Sequence, residues 1–396
     1  MTGAAPFGRR TGWAGVSLVG LAFVVAMLGT TLPTPLYPKY AVQFGFDELV
    51  TTVVFATYAV GVTGGLLLFG HWSDQLGRRP LLLLGLALSA LSAGAFLLPG
   101  ALGWLFVGRL LSGVSAGIFT GTATATIVDL APERGRARAG LVAAAVNMGG
   151  LGLGPLLAGV LTQYAPLPLR LCFVVDLGLV VLATACVLAT REPVERARRP
   201  RLAPRALHVP PELRAAFTRA AVAGFAGFAV LGLFTAVSPA FLGDVLGQHN
   251  AAVVGAVVLC IFAGSVGGQT QSDRLGLDRA LPVGCGALIA GMVLVGTSLA
   301  AEQLVLLVAG ALVAGYGQGL SFRAGLGSVA GASPADERGA ITSTFFVVLY
   351  VGIAVPVIGE GALAAGVGLV PAGLVFAGLV AALAATALVL VVRARD

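Results

Sequence analysis

Apolar runs of about twenty residues recur along the whole chain, and short charged segments separate them. A helical run of this length spans the roughly 30 Å hydrocarbon core of a bilayer. No water reaches that core, so every backbone amide there must be hydrogen-bonded within the protein, which favours helices. The runs therefore predict a polytopic, all-α membrane protein.

Composition supports this class. The 396 residues are 58% hydrophobic and only 10% charged, too few charges to cover the surface of a soluble domain of this size. The 57 glycines would weaken isolated helices, but in a membrane bundle they allow backbones to approach closely. The net charge of +7 arises from basic residues at span ends, a pattern of membrane topology that argues against a nucleic-acid partner. The four cysteines lie in apolar segments without metal-ligand spacing.

Twelve spans are predicted, and the distribution of basic residues predicts their orientation. The spans are expected at 13–37, 48–70, 80–98, 101–126, 139–162, 169–190, 216–238, 250–270, 280–299, 303–328, 340–363 and 371–392. Both termini and one set of alternate loops hold twenty Lys and Arg residues, whereas the other set holds two. This bias predicts a multi-pass protein of the cytoplasmic membrane with both termini in the cytoplasm.

Two loops recur at a distance of about half the chain. SDQLGRR at 73–79 resembles SDRLGLDR at 272–279, and APERGRA at 131–137 resembles SPADERGA at 333–340. The repeat predicts two related six-helix halves with a substrate site between them, near the bilayer midplane.

We expect the halves at residues 1–190 and 215–396. The Pro- and Arg-rich stretch 191–214 is predicted to be a cytoplasmic linker. It would tether the halves and orient the protein; binding of anionic lipid headgroups is the alternative.

At these residues the chain resembles the major facilitator superfamily, in particular its twelve-span antiporters that exchange drugs or metabolites for protons. The resemblance covers essentially the whole chain, and the loop after the second span carries it with Gly70, Asp74, Gly77, Arg78 and Arg79. It implies that Asp74 latches the two halves in one state of the transport cycle. Asp273 is the counterpart in the second copy. There Gln269 replaces the first glycine and Asp278 stands among the basic residues, so a weaker latch is expected.

The fifth span is rich in glycine and contains a proline. Gly150, Gly154, Pro155 and Gly159 predict a bent, closely packed helix with one freed backbone carbonyl. The pattern resembles the family's antiporter motif, except that Ala158 stands where many members have glycine. The resemblance implies export; ordinary glycine-rich packing is the alternative.

Four charged residues are predicted to lie inside spans. Arg109 and Arg323 are expected to face a central, water-accessible cavity, with Gln318 beside Arg323. The resemblance links Arg109 to proton transfer. Asp176 and Glu360 are the candidate proton carriers because they are the acids embedded in apolar segments. For both arginines the alternative is snorkelling to an interface, and for both acids it is a position near the outer headgroups.

The favoured function is proton-coupled efflux of a small amphipathic molecule by alternating access. The sequence has no nucleotide-binding motif and no metal cluster, so an ion gradient is the expected energy source and no cofactor is expected. The alternative within the family is an uptake carrier or facilitator for a small metabolite. We expect a monomer whose partners are its substrate and the lipid bilayer.

Two readings from other classes are a lipid-modifying membrane enzyme and a non-transporting sensor. An enzyme would need a nucleophile with a base, or a metal site. The three histidines, His71, His208 and His249, fall in or near loops and do not provide one. A sensor would need an attached signalling domain, which the sequence does not show.

Overall fold

The computed structural model describes residues 12–98, 100–197, 207–334 and 337–394. Within these ranges, twelve helices are long and apolar enough to cross a membrane. The predicted all-α membrane fold is therefore confirmed. We number the helices as spans 1 to 12, in chain order.

The spans have the following bounds, which agree with the predicted ones to within several residues. They are Gly12–Thr31, Glu48–Phe69, Arg78–Leu97, Leu102–Leu130, Arg136–Tyr164 and Leu171–Ala189 in the first half, and Arg214–Ala236, Ala251–Leu275, Leu277–Ala301, Leu304–Ala332, Arg338–Val367 and Leu369–Arg393 in the second.

The first span of each half ends in the same way. Span 1 is followed by a short turn and the helix Tyr37–Phe44, and span 7 by the helix Ser238–Asp244. Each extension has a proline in its first turn, where the missing N–H costs no hydrogen bond. The shared break agrees with the two related halves that the loop repeat predicts.

The halves meet along two pairs of helices, span 5 with span 8 and span 2 with span 11. Close contacts lie near the end of the bundle opposite the linker, which we call the far end. There the carbonyl oxygen of Ala251 touches Gly159, and that of Pro155 touches Gly255. A side chain at either glycine would collide with backbone, so the helices approach more closely than other residues permit.

Polar contacts join the same far-end surfaces. Asn250 donates from Nδ2 to the hydroxyl of Tyr164 at 3.1 Å, and the N–H of Ala251 donates to the side-chain oxygen of Gln163 at 3.1 Å. On the other helix pair, Gly361 of span 11 packs against Thr52 of span 2. These contacts hold the two halves together at the far end.

The predicted linker, 191–214, lies partly outside the described residues. Its first part contacts the loop after span 2, where the N–H of Ala197 donates to Gln75 at 2.9 Å. Its last part contacts span 11, where the N–H of His208 donates to Thr344 at 3.1 Å. The domain boundaries and the cytoplasmic placement of the termini stay predictions.

We predict that Gly255→Ala destabilises the observed arrangement of the halves by about 1–3 kcal/mol, because the added methyl group overpacks a backbone contact. The measurement is the thermal melting midpoint of the purified protein. Gly267→Ala, in the same span, is the matched control, since its added Cβ would lie 3.8 Å from the nearest atom. Equal melting midpoints for the two variants would contradict the packing role of Gly255.

Candidate functional site

A cavity lies between the two halves. Helices of both halves line it, including spans 1, 2, 4 and 5 of the first and spans 7, 8, 10 and 11 of the second. Seven aromatic side chains form much of its wall, among them Phe55 and Tyr58 of span 2 and Tyr350 of span 11. We call it the central cavity. Its position between the halves is the one that the internal repeat predicts.

Arg109 of span 4 is the charged residue that lines the central cavity. It is 1% exposed, and one terminal nitrogen of its guanidinium donates to the backbone carbonyl of Thr30. The guanidinium carbon lies 4.7 Å from the ring centre of Tyr58 and 5.2 Å from that of Phe55. These contacts stabilise a cation that is cut off from water. The Nε–H has no acceptor in the described part of the chain, so it is available to a ligand.

Asp176 is buried in span 6 and does not line the central cavity. It packs against Gly29 of span 1 so closely that a Cβ added to this glycine would lie 3.0 Å from the Oδ2 atom of Asp176. Its Oδ1 has no partner among the described residues. Arg109 and Asp176 thus contact span 1 at neighbouring residues, Thr30 and Gly29, without forming an ion pair with each other.

Arg323 does not lie where the sequence analysis expects it. It is absent from the lining of the central cavity, and instead pairs with Asp273 through two hydrogen bonds of 2.9 Å, from Nε and from a terminal nitrogen. The side chains of this pair are 27% and 50% exposed. The physical reason is that the Asp273 carboxylate, in the last turn of span 8, binds the guanidinium of Arg323 through both of its oxygens.

Gln318 and Glu360 also lie away from the central cavity. Gln318 is buried within the second half. Its side-chain oxygen accepts a hydrogen bond from the Ser265 hydroxyl at 2.6 Å, and its side-chain carbons pack against Gly227. Glu360 of span 11 is buried among the second-half helices and borders two other cavities. Both were expected beside the cavity arginines from their depth along the helices, but depth does not determine which way a side chain faces.

The loop after span 2, residues 70–79, is built around Arg78. Its guanidinium lies 2.6 Å from Asp74, 3.1 Å from Asp129 at the end of span 4, and 2.7 Å from the hydroxyl of Ser73. The Asp74 side chain is 54% exposed. All of these partners belong to the first half, so the loop locks spans 2, 3 and 4 of that half together.

Glu192 of the linker completes this loop. Its carboxylate accepts hydrogen bonds from the backbone N–H groups of Arg78 at 2.8 Å and Arg79 at 2.9 Å, at the N-terminus of span 3. A carboxylate there satisfies free donors and faces the positive end of the helix. Gly77 permits this contact for two reasons. It adopts a φ of +100°, and a side chain there would collide with Glu192, since an added Cβ would lie only 2.7 Å from the carboxylate. No local sequence pattern points to Glu192, because it lies more than a hundred residues from the loop along the chain.

The second copy of the loop keeps the turn and exchanges the charges. Gly276 also has a positive φ, of +75°, but Leu277 stands in place of Arg78. In the first half an arginine of the loop pairs with an acid at the end of span 4; in the second half an acid of the loop pairs with Arg323 on span 10. Each half thus joins its copy of the loop to its fourth helix by an ion pair, and the positions of the positive and negative charges are exchanged between the halves.

The glycines of span 5 contact two neighbours. Gly150 and Gly154 pack against span 1, and Gly159 packs against span 8 of the other half. Pro155 has no N–H to donate to the carbonyl of Leu151, and the hydroxyl of Thr31 donates to that carbonyl instead, at 2.8 Å. The freed carbonyl expected from the sequence therefore binds span 1, beside the central cavity.

We predict that Asp74→Asn leaves folding nearly intact but slows transport severely. Arg78 keeps Asp129 and Ser73 as partners in this variant, so the loop retains its structure. The measurement compares the melting midpoint with the transport rate in vesicles. An unchanged rate would contradict a role of Asp74 in the transport cycle.

We predict that Thr31→Val, which keeps the shape of the side chain, costs about 1–3 kcal/mol of stability because it leaves the Leu151 carbonyl unpaired. Thr297→Val is the matched control, since the Thr297 hydroxyl donates to a carbonyl on the exposed face of span 9. Melting midpoints of the two variants check the prediction. If both match the wild type, the Thr31 bond does not stabilise the bent helix.

Comparison with known proteins agrees with this architecture. The family model of the Major Facilitator Superfamily matches residues 19–357. The solved structure of a bacterial homologue of the human lysosomal transporter Spinster, in an inward-facing and unoccupied conformation, superposes with a TM-score of 0.73. That match covers 96% of this chain and 97% of the other at 15% identity, and so shows a common fold.

Curated relatives match over shorter segments. A puromycin resistance protein of Streptomyces alboniger is 33% identical over 46% of this chain and 36% of its own length. A class D tetracycline resistance protein of Salmonella ordonez is 32% identical over 37% of this chain and 38% of its own length. The matched segments thus span little more than a third of these relatives. From the fold and the family match over residues 19–357, the chain is a multi-pass membrane protein that belongs to the Major Facilitator Superfamily, a family of transporters and not of enzymes.

Proposed function

We propose that the protein exports a small, aromatic or amphipathic molecule in exchange for protons, and that the molecule binds in the central cavity. The observation that supports this most is Arg109, a buried cation with an unpaired N–H on the wall of an otherwise aromatic cavity. Aromatic side chains stack favourably with flat rings. An electron-rich or anionic group on the same molecule accepts the hydrogen bond of Arg109.

Relatives of the chain support export. Two of them carry the names of resistance proteins for puromycin and tetracycline, and a third is a multidrug resistance protein of Bacillus subtilis, 30% identical over 34% of this chain. Puromycin and tetracycline are aromatic molecules with polar edges, the chemistry that the cavity wall suits. We therefore choose them as the first probes.

The contacts between the halves suggest how access alternates. The far-end contacts of spans 5 and 8 must separate if the central cavity is to open at that end, and the halves must then close at the linker end. Span 5 is suited to this motion because it contacts span 1 through one face and span 8 through another. The Leu151 carbonyl, which Pro155 leaves without a donor in the helix, accepts a hydrogen bond from the hydroxyl of Thr31.

Protons are the proposed coupling ion. Asp176 and Glu360 are buried carboxylates with an oxygen that lacks a partner in the described part of the chain. An unpaired buried carboxylate is costly, so each is suited to gain a proton in one state and lose it in another. Asp176 is the better placed of the two for coupling to the central cavity, since it touches the residue next to the one that binds Arg109.

The experiment uses purified protein in vesicles that hold a pH-sensitive dye. With an acidic lumen, addition of tetracycline or puromycin should raise luminal pH faster than in protein-free vesicles, and the drug should accumulate inside. Protein-free vesicles correct for passive trapping of weak bases. Accumulation with an alkaline lumen instead would indicate uptake by symport, and equilibration that ignores the gradient would indicate a facilitator. Either outcome would overturn proton-coupled export.

We predict that Arg109→Leu abolishes this exchange and that Arg109→Lys retains a small part of it. Lysine keeps the charge but loses the planar donors that lie over Tyr58 and Phe55. The control is Arg170→Gln, which changes an exposed arginine outside the cavity. Melting midpoints of all variants separate loss of function from loss of folding. Normal exchange by a folded Arg109→Leu protein would remove Arg109 from the proposed site.

A further inference from the structure

A groove of about 850 Å³ runs between spans 11 and 12 on the outer face of the second half. Its rim includes Val375 and Leu379, which are 49% and 62% exposed on the surface that a bilayer would cover. Gly359 lies in its wall and is exposed, and a Cβ added there would have no atom within 4 Å. The groove is therefore open to a molecule from the lipid side.

Glu360 lies at the base of this groove. Its side chain also borders a second cavity of about 330 Å³ inside the half, so it stands between the two. The residue is 4% exposed, and its Oε2 has no hydrogen-bond partner among the described residues. Among the described residues that line either space, Glu360 is the only charged one.

A carboxylate in such surroundings needs either a proton or a cation. Burial of an unpaired charge among apolar side chains costs far more than burial of a neutral group. No Lys or Arg is among the described residues that line either space. Arg323, the arginine embedded in the second half, instead pairs with Asp273 in the last turn of span 8. An apolar groove that ends at an unpaired carboxylate matches a molecule with an apolar body and one positive charge.

We propose that this groove binds a lipophilic ammonium ion, with the ammonium group at Glu360 and the apolar part between spans 11 and 12. Phe376 lines the same groove and offers a ring to the cation. The site is separate from the central cavity and differs from it in charge, since an arginine faces that cavity and a glutamate this groove.

The position of Glu360 along span 11 argues against an ordinary lipid headgroup. Glu360 lies seven positions before Val367, the last residue of span 11, which places it roughly 10 Å from that end along the helix. An aminophospholipid would have to bring its phosphate to the same depth, next to a carboxylate. A cationic amphiphile without a phosphate meets no such cost.

Occupation of the groove also affects the contact between the halves. Glu48 of span 2 lies next to this part of span 11, since a Cβ added at Gly361 would lie 3.1 Å from the Glu48 carbonyl oxygen. The carboxylates of Glu48 and Glu360 repel each other when both are ionised. Gly361, the next residue, packs against Thr52 of span 2. An ammonium at Glu360 offsets this repulsion, so its binding strengthens the far-end contact of spans 2 and 11.

The test uses the full-length protein in lipid nanodiscs and an alkyltrimethylammonium probe with a photoreactive diazirine in its chain. The alkylsulfonate with the same chain is the control for charge. We expect saturable labelling by the cation in segments 356–363 and 372–383, and at least tenfold weaker labelling by the sulfonate. Glu360→Gln, which keeps the shape of the side chain, should weaken labelling by the cation at least tenfold.

Two glycine variants test the groove without touching its charge. Gly359→Leu fills open space and should block labelling, whereas Gly366→Leu, at another exposed glycine of span 11 with no atom within 4 Å of an added Cβ, should not. Arg109→Leu should leave labelling unchanged, which separates this site from the central cavity. Equal labelling by the two probes, or undiminished labelling of a folded Glu360→Gln protein, would overturn the proposal.

Discussion

Close packing of backbone on backbone is the constraint on which the rest of the structure depends. In a bilayer, apolar side chains gain little by leaving lipid for one another, so helices associate where they can approach closely. Span 5 does this on two faces, with Gly150 and Gly154 against span 1 and Gly159 against span 8 of the other half. The position of the central cavity follows, because spans 1, 5 and 8 all line it.

The central cavity and the lateral groove carry opposite charges. Arg109 faces the central cavity and is stabilised by a carbonyl and two aromatic rings, with no carboxylate of the described residues paired to it. Glu360 lies at the base of the groove between spans 11 and 12, and its Oε2 has no partner in the described part of the chain. An unpaired cation suits electron-rich ligands, and an unpaired anion suits protons or ammonium groups. The proposed transport cycle and the proposed lateral site depend on this separation.

The two latch loops show how a duplicated fold keeps a contact while its residues change. Gly77 and Gly276 preserve the turn, since both adopt a positive φ that favours glycine. Each loop also keeps an ion pair to span 4 or to its counterpart, span 10. In the first half the loop supplies the cation, Arg78, to Asp129; in the second half Asp273 supplies the anion to Arg323. Sequence comparison of the loops alone detects the glycine and the aspartate but not the exchange, because the partner lies about fifty residues away.

The sequence by itself determined the membrane class, the twelve spans and the internal repeat, because each depends on local composition that the bilayer thickness and the backbone hydrogen-bond requirement fix. It also located the backbone carbonyl that Pro155 frees, which follows from one missing N–H. Tertiary structure decided which way each embedded polar side chain faces. From their depth along span 10, Arg323 and Gln318 were expected beside Arg109. Their direction around the helix axis and their partners on other spans hold them elsewhere. Those partners, like Glu192 at span 3, are distant in the chain and are brought close by packing alone.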